Sequence, residues 1–222
     1  MPRLFAFGLP ALLALACSSA CVTTSSSVRT NSHTPSETEW LSASPQLQAQ
    51  IDDAAKRLPW THGLERVELI HWFAQVGEPA YPTLLELALD ARVEVSGAAL
   101  AALGATRDSR LVEPLRALAW SGEPQAELAL ERARTLLRLG DWEMVPQLIT
   151  GLRDERLVTR ALCIQALYEA THERQGYDAR ADATEREFAV RKWEQWWAAR
   201  QADPLLAPQS ADAAATTPAK AG

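Results

Sequence analysis

The chain has 222 residues, and its 22 Lys and Arg side chains against 28 Asp and Glu give a net charge of −6. Both ends are poor in core-forming residues, which leaves about 160 residues and predicts a single folded domain. An acidic chain without a stripe of Lys and Arg repels phosphate groups, so the composition argues against nucleic acid and anionic lipid headgroups as ligands.

The first 16 residues have the pattern of an export signal. Arg3 supplies a short basic start, and residues 4–16 form an uncharged apolar run that is too short to cross a bilayer as a permanent helix. Residues 14–17 (ALAC) resemble the lipobox of bacterial lipoproteins, in which the cysteine becomes the acylated N-terminus after cleavage. The resemblance implies that residues 1–16 are a signal peptide and that Cys17 carries a lipid. The protein is then expected in the bacterial cell envelope, at the periplasmic face of the outer membrane.

Three alternatives remain for this segment. Lipoprotein signals prefer Leu three residues before the cysteine, where this chain has Ala14, so cleavage before Cys21 is one alternative. Ordinary secretory cleavage after Ala16 is another, because that peptidase also selects small residues, and its product would be secreted or soluble in the periplasm. A disulfide between Cys17 and Cys21 is the third.

Two segments lack the apolar residues that a fold requires. Residues 17–43 are rich in Ser and Thr, so ordering them would cost backbone entropy without compensating contacts. We predict that they form a disordered tether that holds a folded module away from a membrane surface. Residues 202–222 are rich in Ala, Pro and Thr and are predicted to be a disordered tail.

The central region repeats with a period of about 32 residues. Prolines 82, 114 and 146 are 32 residues apart, and apolar residues follow each proline at helical spacing. The segments that precede them align through three apolar or small columns, which we expect to be buried between successive first helices. The columns are Ile70, Leu100, Ala133 and Ile164; Phe73, Leu103, Leu136 and Leu167; and Val67, Gly97, Leu130 and Ala161.

The segments after the prolines form the second helix of each repeat. Their three apolar columns are Tyr81, Val112 and Val145; Leu84, Leu115 and Leu148; and Ala88, Ala119 and Leu152. Asp108 and Asp141 stand where an N-cap would accept the first backbone amides of the helix that follows. The predicted unit is therefore a pair of helices.

These helix pairs resemble the short HEAT-like repeats of phycobilin lyases and other bacterial proteins. The resemblance rests on residues 108–115 (DSRLVEPL) and 140–149 (GDWEMVPQLI), which look like the link and second helix of the family, and it covers residues 64–172. It implies an all-α fold, a short right-handed α-solenoid of about four helix pairs.

A capping helix is predicted at each end of the repeats. Within residues 44–63, Ser44 and Pro45 are a typical N-cap and first helical residue. Within residues 173–201, a loop precedes a helix that Thr184 and Glu187 would open as a capping box and that would end at Arg200.

Tryptophans invite two interpretations. Trp193, Trp196 and Trp197 on the last helix are expected to cover the end of the core. The alternative is a glycan- or membrane-binding module that uses these three side chains. The tryptophans at 60, 72, 120 and 142 are expected to pack at helix ends or on helix faces, and the one at 40 lies in the tether.

The sequence contains no convincing catalytic or metal-binding set. Cys163 lies in an apolar helix, where a thiol is usually an inert core residue. Glu68 and His71 supply two metal ligands, where a catalytic zinc site needs three. We therefore predict no enzyme activity, no metal and no cofactor. The alternative is a lyase-like or hydrolytic periplasmic enzyme, because phycobilin lyases show that such repeats can carry an active site.

A binding surface is then expected on the second helices, which line the inner face of HEAT stacks. The polar positions left after the core columns are removed are Thr83, Glu86, Asp90, Arg116, Gln147, Thr150 and Arg153. The sequence thus predicts a lipid-anchored, monomeric scaffold or adaptor that binds a protein partner through this face. It predicts contact with the membrane only through the N-terminal lipid, and no nucleic-acid partner.

Overall fold

The computed structural model describes residues 40–203, apart from 121, 123 and 124. In this part of the chain the fold is all-helical without strands, which confirms the predicted all-α class. The predicted signal peptide, Cys17 and Cys21, residues 17–39 of the predicted tether and residues 204–222 of the predicted tail lie outside the described residues. None of the helices between residues 40 and 203 combines the length and the hydropathy that a membrane span requires.

Nine α-helices follow one another in the described part of the chain. They are α1 Pro45–Arg57, α2 Gly63–Val76, α3 Tyr81–Leu87, α4 Val93–Ala105, α5 Val112–Arg116, α6 Ala126–Arg138, α7 Val145–Gly151, α8 Leu157–Thr171 and α9 Ala183–Ala202. Four 3-10 turns accompany them: Leu58–Trp60 follows α1, and Glu78–Ala80, Ser109–Leu111 and Trp142–Met144 lead directly into α3, α5 and α7.

Short polar side chains begin several of these helices. The Ser44 hydroxyl accepts a hydrogen bond from a backbone amide in the first turn of α1, as predicted. Asp108 and Asp141 cap the turns before α5 and α7, and each carboxylate accepts the amide two residues ahead, at 3.0 and 3.1 Å. The predicted capping positions in the repeats are therefore confirmed.

The predicted capping box at the last helix is wrong. Asp182, rather than Thr184, is the N-cap of α9, because its carboxylate accepts the amides of Thr184 and Glu185 at 2.8 and 2.9 Å. An ionised carboxylate near the N-terminus is also favoured by the helix dipole. The helix consequently begins at Ala183 and continues past Arg200 to Ala202.

The first helices of the predicted pairs are α2, α4, α6 and α8, and they pack side by side. Helix α4 lies against α2 and α6, and α6 lies against α4 and α8. The column of Phe73, Leu103, Leu136 and Leu167 is buried at every position, as predicted. This column joins the four helices into one row.

The third predicted column (Val67, Gly97, Leu130 and Ala161) is not buried at every position, so this prediction is wrong. Val67 is 55% exposed, and Ala161 is exposed as well. Because an α-helix has 3.6 residues per turn, the position one residue earlier can face the core instead, and it does so in α4 and α8. There Ser96 and Arg160 are buried, and each donates hydrogen bonds to backbone carbonyl groups. A search for apolar residues in the sequence could not find these two positions, because polar residues occupy them.

The second helices pack against the first helix of the next pair. Helix α3 contacts α4, and α7 contacts α8, while α1 contacts α3 and α9 contacts α7. The Leu84, Leu115 and Leu148 column is buried, as predicted. Ala119 is exposed, contrary to prediction, because α5 ends at Arg116 and the chain no longer follows a helical path.

Two clusters of buried side chains form the core and meet at α6. One contains residues from α1 to α6, and the other contains residues from α6 to α9. Trp193 is fully buried in the second cluster, and Trp197 is nearly so. Trp196, the third predicted tryptophan, is only partly buried beside them. The buried faces of Trp193 and Trp197 are not available to a glycan or a membrane.

Gly151 marks a close approach between helices. A Cβ atom at this position would lie 2.6 Å from the Cys163 sulfur and 3.0 Å from a methyl carbon of Leu130. Gly97 lies in the interior of α4, and a Cβ atom there would meet no atom within 4 Å. The two positions therefore form a matched pair of glycine-to-alanine substitutions.

We predict that Gly151→Ala lowers the free energy of unfolding by about 1–3 kcal/mol, because the core must shift to admit the methyl group. Gly97→Ala should instead raise it by about 0.5–1 kcal/mol, since alanine restricts the unfolded chain and favours the helix. Urea unfolding followed by circular dichroism measures both values. A Gly151→Ala protein as stable as the wild type would contradict this packing.

Candidate functional site

Three of the seven predicted surface residues come together in one groove. Thr83 and Glu86 on α3, with Asp90 just beyond it, line an open groove of about 730 Å³. Lys56 and Trp60, at the end of α1 and the turn that follows, line its other side. We call these five residues and the space between them the Trp60 groove.

Trp60 is the residue that sequence reasoning missed. Its side chain is 79% exposed, contrary to the prediction that it packs. The turn Leu58–Trp60 explains this exposure: Leu58 is buried, and the side chain two residues later points away from the core. The exposed indole offers a large apolar surface, with an N–H donor, on one wall of the groove.

The Trp60 groove carries both signs of charge. The Asp90 carboxylate accepts two hydrogen bonds from the Arg92 guanidinium, at 2.8 and 2.6 Å, and these bonds lower the pKa of Asp90. Lys56 and Glu86 make no ion pair within the described residues. An ammonium and a carboxylate therefore remain available beside the indole ring.

Arg116 is held by the protein itself. Its guanidinium donates two hydrogen bonds to the Asp141 carboxylate, at 2.8 and 2.7 Å, and a third to Glu143 at 2.8 Å. Asp141 is buried, so loss of this partner would leave a buried carboxylate without its cation. The pair ties α5 to the turn that begins the next second helix. The Arg116 guanidinium therefore stabilises the fold and is not free to bind a partner.

Arg153 is also held by carboxylates of the protein. It donates two hydrogen bonds to Glu187, at 2.9 and 2.8 Å, and one to Glu194 at 2.9 Å, so it links the end of α7 to α9. The bonds from Arg153 hold the pKa of the Glu187 carboxyl below its usual value. These groups are partly exposed, so solvent screens the pairs and they contribute little to stability.

Further arginine links connect other neighbouring helix pairs. Arg110 bonds Glu78 at 2.9 Å and Arg138 bonds Glu169 at 2.9 Å, across sequence separations of 32 and 31 residues. Such separations are close to the period of the sequence, so each link joins nearly equivalent positions of two successive helix pairs. We call these contacts, with those of Arg116 and Arg153, the arginine links.

Gln147 and Thr150 stand on α7 away from the Trp60 groove lining. The Thr150 hydroxyl donates to the Pro146 carbonyl one turn earlier, at 3.1 Å, and the Gln147 amide donates to Ala129 at 3.4 Å. Both side chains are exposed. They border the stack without forming a concave site with the other predicted residues.

The groups that could do chemistry lie apart from one another. Cys163 is fully buried, and burial raises the pKa of its thiol to about 11, so the nucleophilic thiolate is disfavoured at neutral pH. His62 precedes α2, His71 lies within α2 and His172 follows α8, and all three are exposed. Between residues 40 and 203, no group of three His, Cys, Asp or Glu side chains is arranged to hold a metal ion.

Similarity to known proteins does not identify this surface. No protein-family model matches the chain, and no curated protein matches it. The function of the surface is therefore inferred from its residues and their geometry.

Proposed function

We propose that the protein is a lipid-anchored, HEAT-like scaffold that binds a protein partner through the Trp60 groove. The observation that carries this proposal is the exposure of the Trp60 indole beside Thr83, Glu86 and Asp90. Tryptophan is enriched among the residues that dominate protein interfaces, where it fills a pocket of the partner. The chain holds this side chain in water although burying it would be favourable.

The order of helix contacts supports a HEAT-like arrangement. The first helices α2, α4, α6 and α8 contact their neighbours in chain order, and the second helices pack between them. Helices α1 and α9 contact the first and third of the second helices, α3 and α7, and so extend that layer at both ends. We propose that these elements form a short right-handed α-solenoid, with α1 and α9 as its caps.

The mixed polarity of the Trp60 groove favours a protein partner. Protein interfaces combine an aromatic anchor with a polar rim of both charges, and Lys56, Glu86 and Asp90 supply such a rim around Trp60. A catalytic site would need convergent nucleophiles, acids or metal ligands. The groove is lined by three carboxylates, one ammonium and one guanidinium, and two of these groups, Asp90 and Arg92, bond to each other. We therefore propose a monomeric binding module rather than an enzyme.

The proposed anchor is an acyl group on Cys17, with Cys21 as the alternative. It rests on the lipobox resemblance of residues 14–17. An acylated cysteine at the start of the mature chain would hold the scaffold in the bacterial envelope, at the periplasmic face of the outer membrane. The membrane is then contacted by the lipid, while the Trp60 groove remains open to a protein.

The first prediction of this proposal concerns the Trp60 groove. We expect a photo-crosslinking amino acid at Thr83 to capture a discrete protein in the native envelope. Trp60→Ala should remove most of this adduct, because loss of an anchoring tryptophan typically costs about 2 kcal/mol or more of binding free energy. The adduct is quantified by immunoblotting and identified by mass spectrometry.

Phe188→Ala is the matched control, because Phe188 is an aromatic residue on α9 that is 59% exposed. This control should leave the adduct unchanged. Equal loss of the adduct in both variants, or full retention in Trp60→Ala, would contradict a partner site in the Trp60 groove.

The second prediction concerns the anchor. Metabolic labelling with a tagged fatty acid should mark the wild-type protein and leave Cys17→Ala unlabelled, while Cys21→Ala keeps the label. Label retained in Cys17→Ala and lost in Cys21→Ala would move the anchor to Cys21. Absence of label from the wild type would refute lipidation.

A further inference from the structure

Helices α4, α6 and α8 each use one face to pack against the preceding first helix. On α6 this face includes Thr135, whose hydroxyl donates to the Leu100 carbonyl of α4 at 3.0 Å. A Cβ atom on Gly104 of α4 would lie only 3.3 Å from the Thr135 side chain, so the two helices approach closely here. The residues aligned with Thr135 on α4 and α8 are Ala102 and Ala166, and both are buried.

On α2 the same face has no preceding first helix within the described residues. The position aligned with Thr135 is Trp72, and it lines an open cleft of about 780 Å³ between α1 and α2. Ala54 and Leu69 form the apolar floor of this cleft with Trp72. We call it the N-terminal cleft. It occupies the place where another first helix would continue the row.

The rim of the N-terminal cleft is acidic. Asp53, Glu65 and Glu68 line it, and the one arginine there, Arg57, lies 3.1 Å from Asp53. Glu65 and Glu68 have no ion pair or hydrogen bond from their side chains within the described part of the chain. The rim therefore carries two uncompensated carboxylates.

Glu65 replaces a residue that is buried elsewhere in the row. The aligned positions are Val95 on α4, Leu128 on α6 and Thr159 on α8, and all three are buried. An apolar residue at position 65 would complete a surface for another helix of the same kind. A carboxylate there selects instead for a helix that brings its own positive charge.

We propose that the N-terminal cleft is a second binding site, which accepts one amphipathic helix with basic side chains from a protein partner. The apolar stripe of that helix packs on Leu69 and Trp72, in the position of a preceding first helix. Its Lys or Arg side chains pair with Glu65 and Glu68 at the rim. This site is distinct from the Trp60 groove, since the two share no lining residue.

A helix is the occupant that the site favours. Packed helices lie about 8–10 Å apart, and the open cleft between α1 and α2 offers an apolar floor of Ala54, Leu69 and Trp72 to one more helix. Helix-in-groove recognition uses apolar anchors at positions i, i+3, i+4 and i+7, while charged residues at the rim fix the choice of partner. An apolar floor with an acidic rim therefore specifies a basic amphipathic helix.

The test uses the purified protein and two fluorescently labelled peptides with the same apolar spacing, one built from Leu and Lys and the other from Leu and Glu. Fluorescence anisotropy should show that the Leu/Lys peptide binds at least about tenfold more tightly, and that added salt weakens its binding. The double substitution Glu65→Lys with Glu68→Lys should reverse this preference.

The matched control is Glu155→Lys with Glu173→Lys, which changes the net charge equally at exposed positions outside the cleft. It should leave the affinity for the Leu/Lys peptide within about twofold of the wild-type value, since distant surface charges are screened. Circular dichroism verifies that both double variants are folded, and Glu65→Gln with Glu68→Gln repeats the test without charge reversal.

Several outcomes would overturn the proposal. These are failure of the Leu/Lys peptide to bind, equal binding of both peptides, and equal loss of binding in the two Lys double variants. Sedimentation measurements address the rival occupant, a second copy of the chain. Self-association that disappears in Glu65→Lys with Glu68→Lys would assign the cleft to that copy.

Discussion

The close stacking of the first helices is the constraint on which the rest of the structure depends. Phe73, Leu103, Leu136 and Leu167 place one large apolar side chain per helix at the same level of the row. Around them the contact faces carry small residues, such as Gly104 against Thr135, so the backbones come close together. Each helix therefore buries its stripe against neighbours, and no helix can bury it alone.

This stacking determines where polar side chains go. At the outer ends of the helices, arginines such as Arg116 and Arg153 connect one pair to the next through carboxylates of the following element. These arginine links occupy much of the charge on the second-helix face. Among the described residues, carboxylates without an ion pair, such as Glu86 and Glu65, line the Trp60 groove and the N-terminal cleft.

The helices near the start of the row of first helices are less covered than the interior ones, and both proposed binding sites lie there. Interior helices such as α4 and α6 are covered on both sides, while α2 is covered by α4 on one side only. The helix face at the end of such a row must be polar, be covered by a capping element or bind another molecule. On the open face of α2, Trp72 fills part of the N-terminal cleft and Glu65 places a carboxylate at its rim. In the Trp60 groove, the indole of Trp60 remains exposed to solvent.

Much of the all-helical structure was predictable because the sequence is periodic. The aligned column through Phe73 and the caps at Asp108 and Asp141 are local or periodic features, and periodicity is what a single sequence reveals well. The exposure of Trp60 was not predictable, because it depends on a 3-10 turn at the end of α1. Period alone does not fix the direction of one side chain after a turn.

The candidate site was only partly predictable for a different reason. Thr83, Glu86 and Asp90 lie on one short helix and its end, so their proximity follows from helical spacing. Arg116 and Arg153 find their carboxylate partners 25 and 34 residues away, on elements whose relative placement the sequence does not state. Polar side chains on an outer face look available in a sequence even where the fold pairs them.

Native-state hydrogen exchange of the purified protein tests the central claim most directly, because it measures the free energy of local opening along the chain. If stacking of the first helices holds the molecule together, the backbone amides of α4 and α6 should exchange most slowly, and protection should fall toward α1 and α9. Amides in α1 or α9 that are protected as strongly as those of α4 would contradict a structure organised around that row.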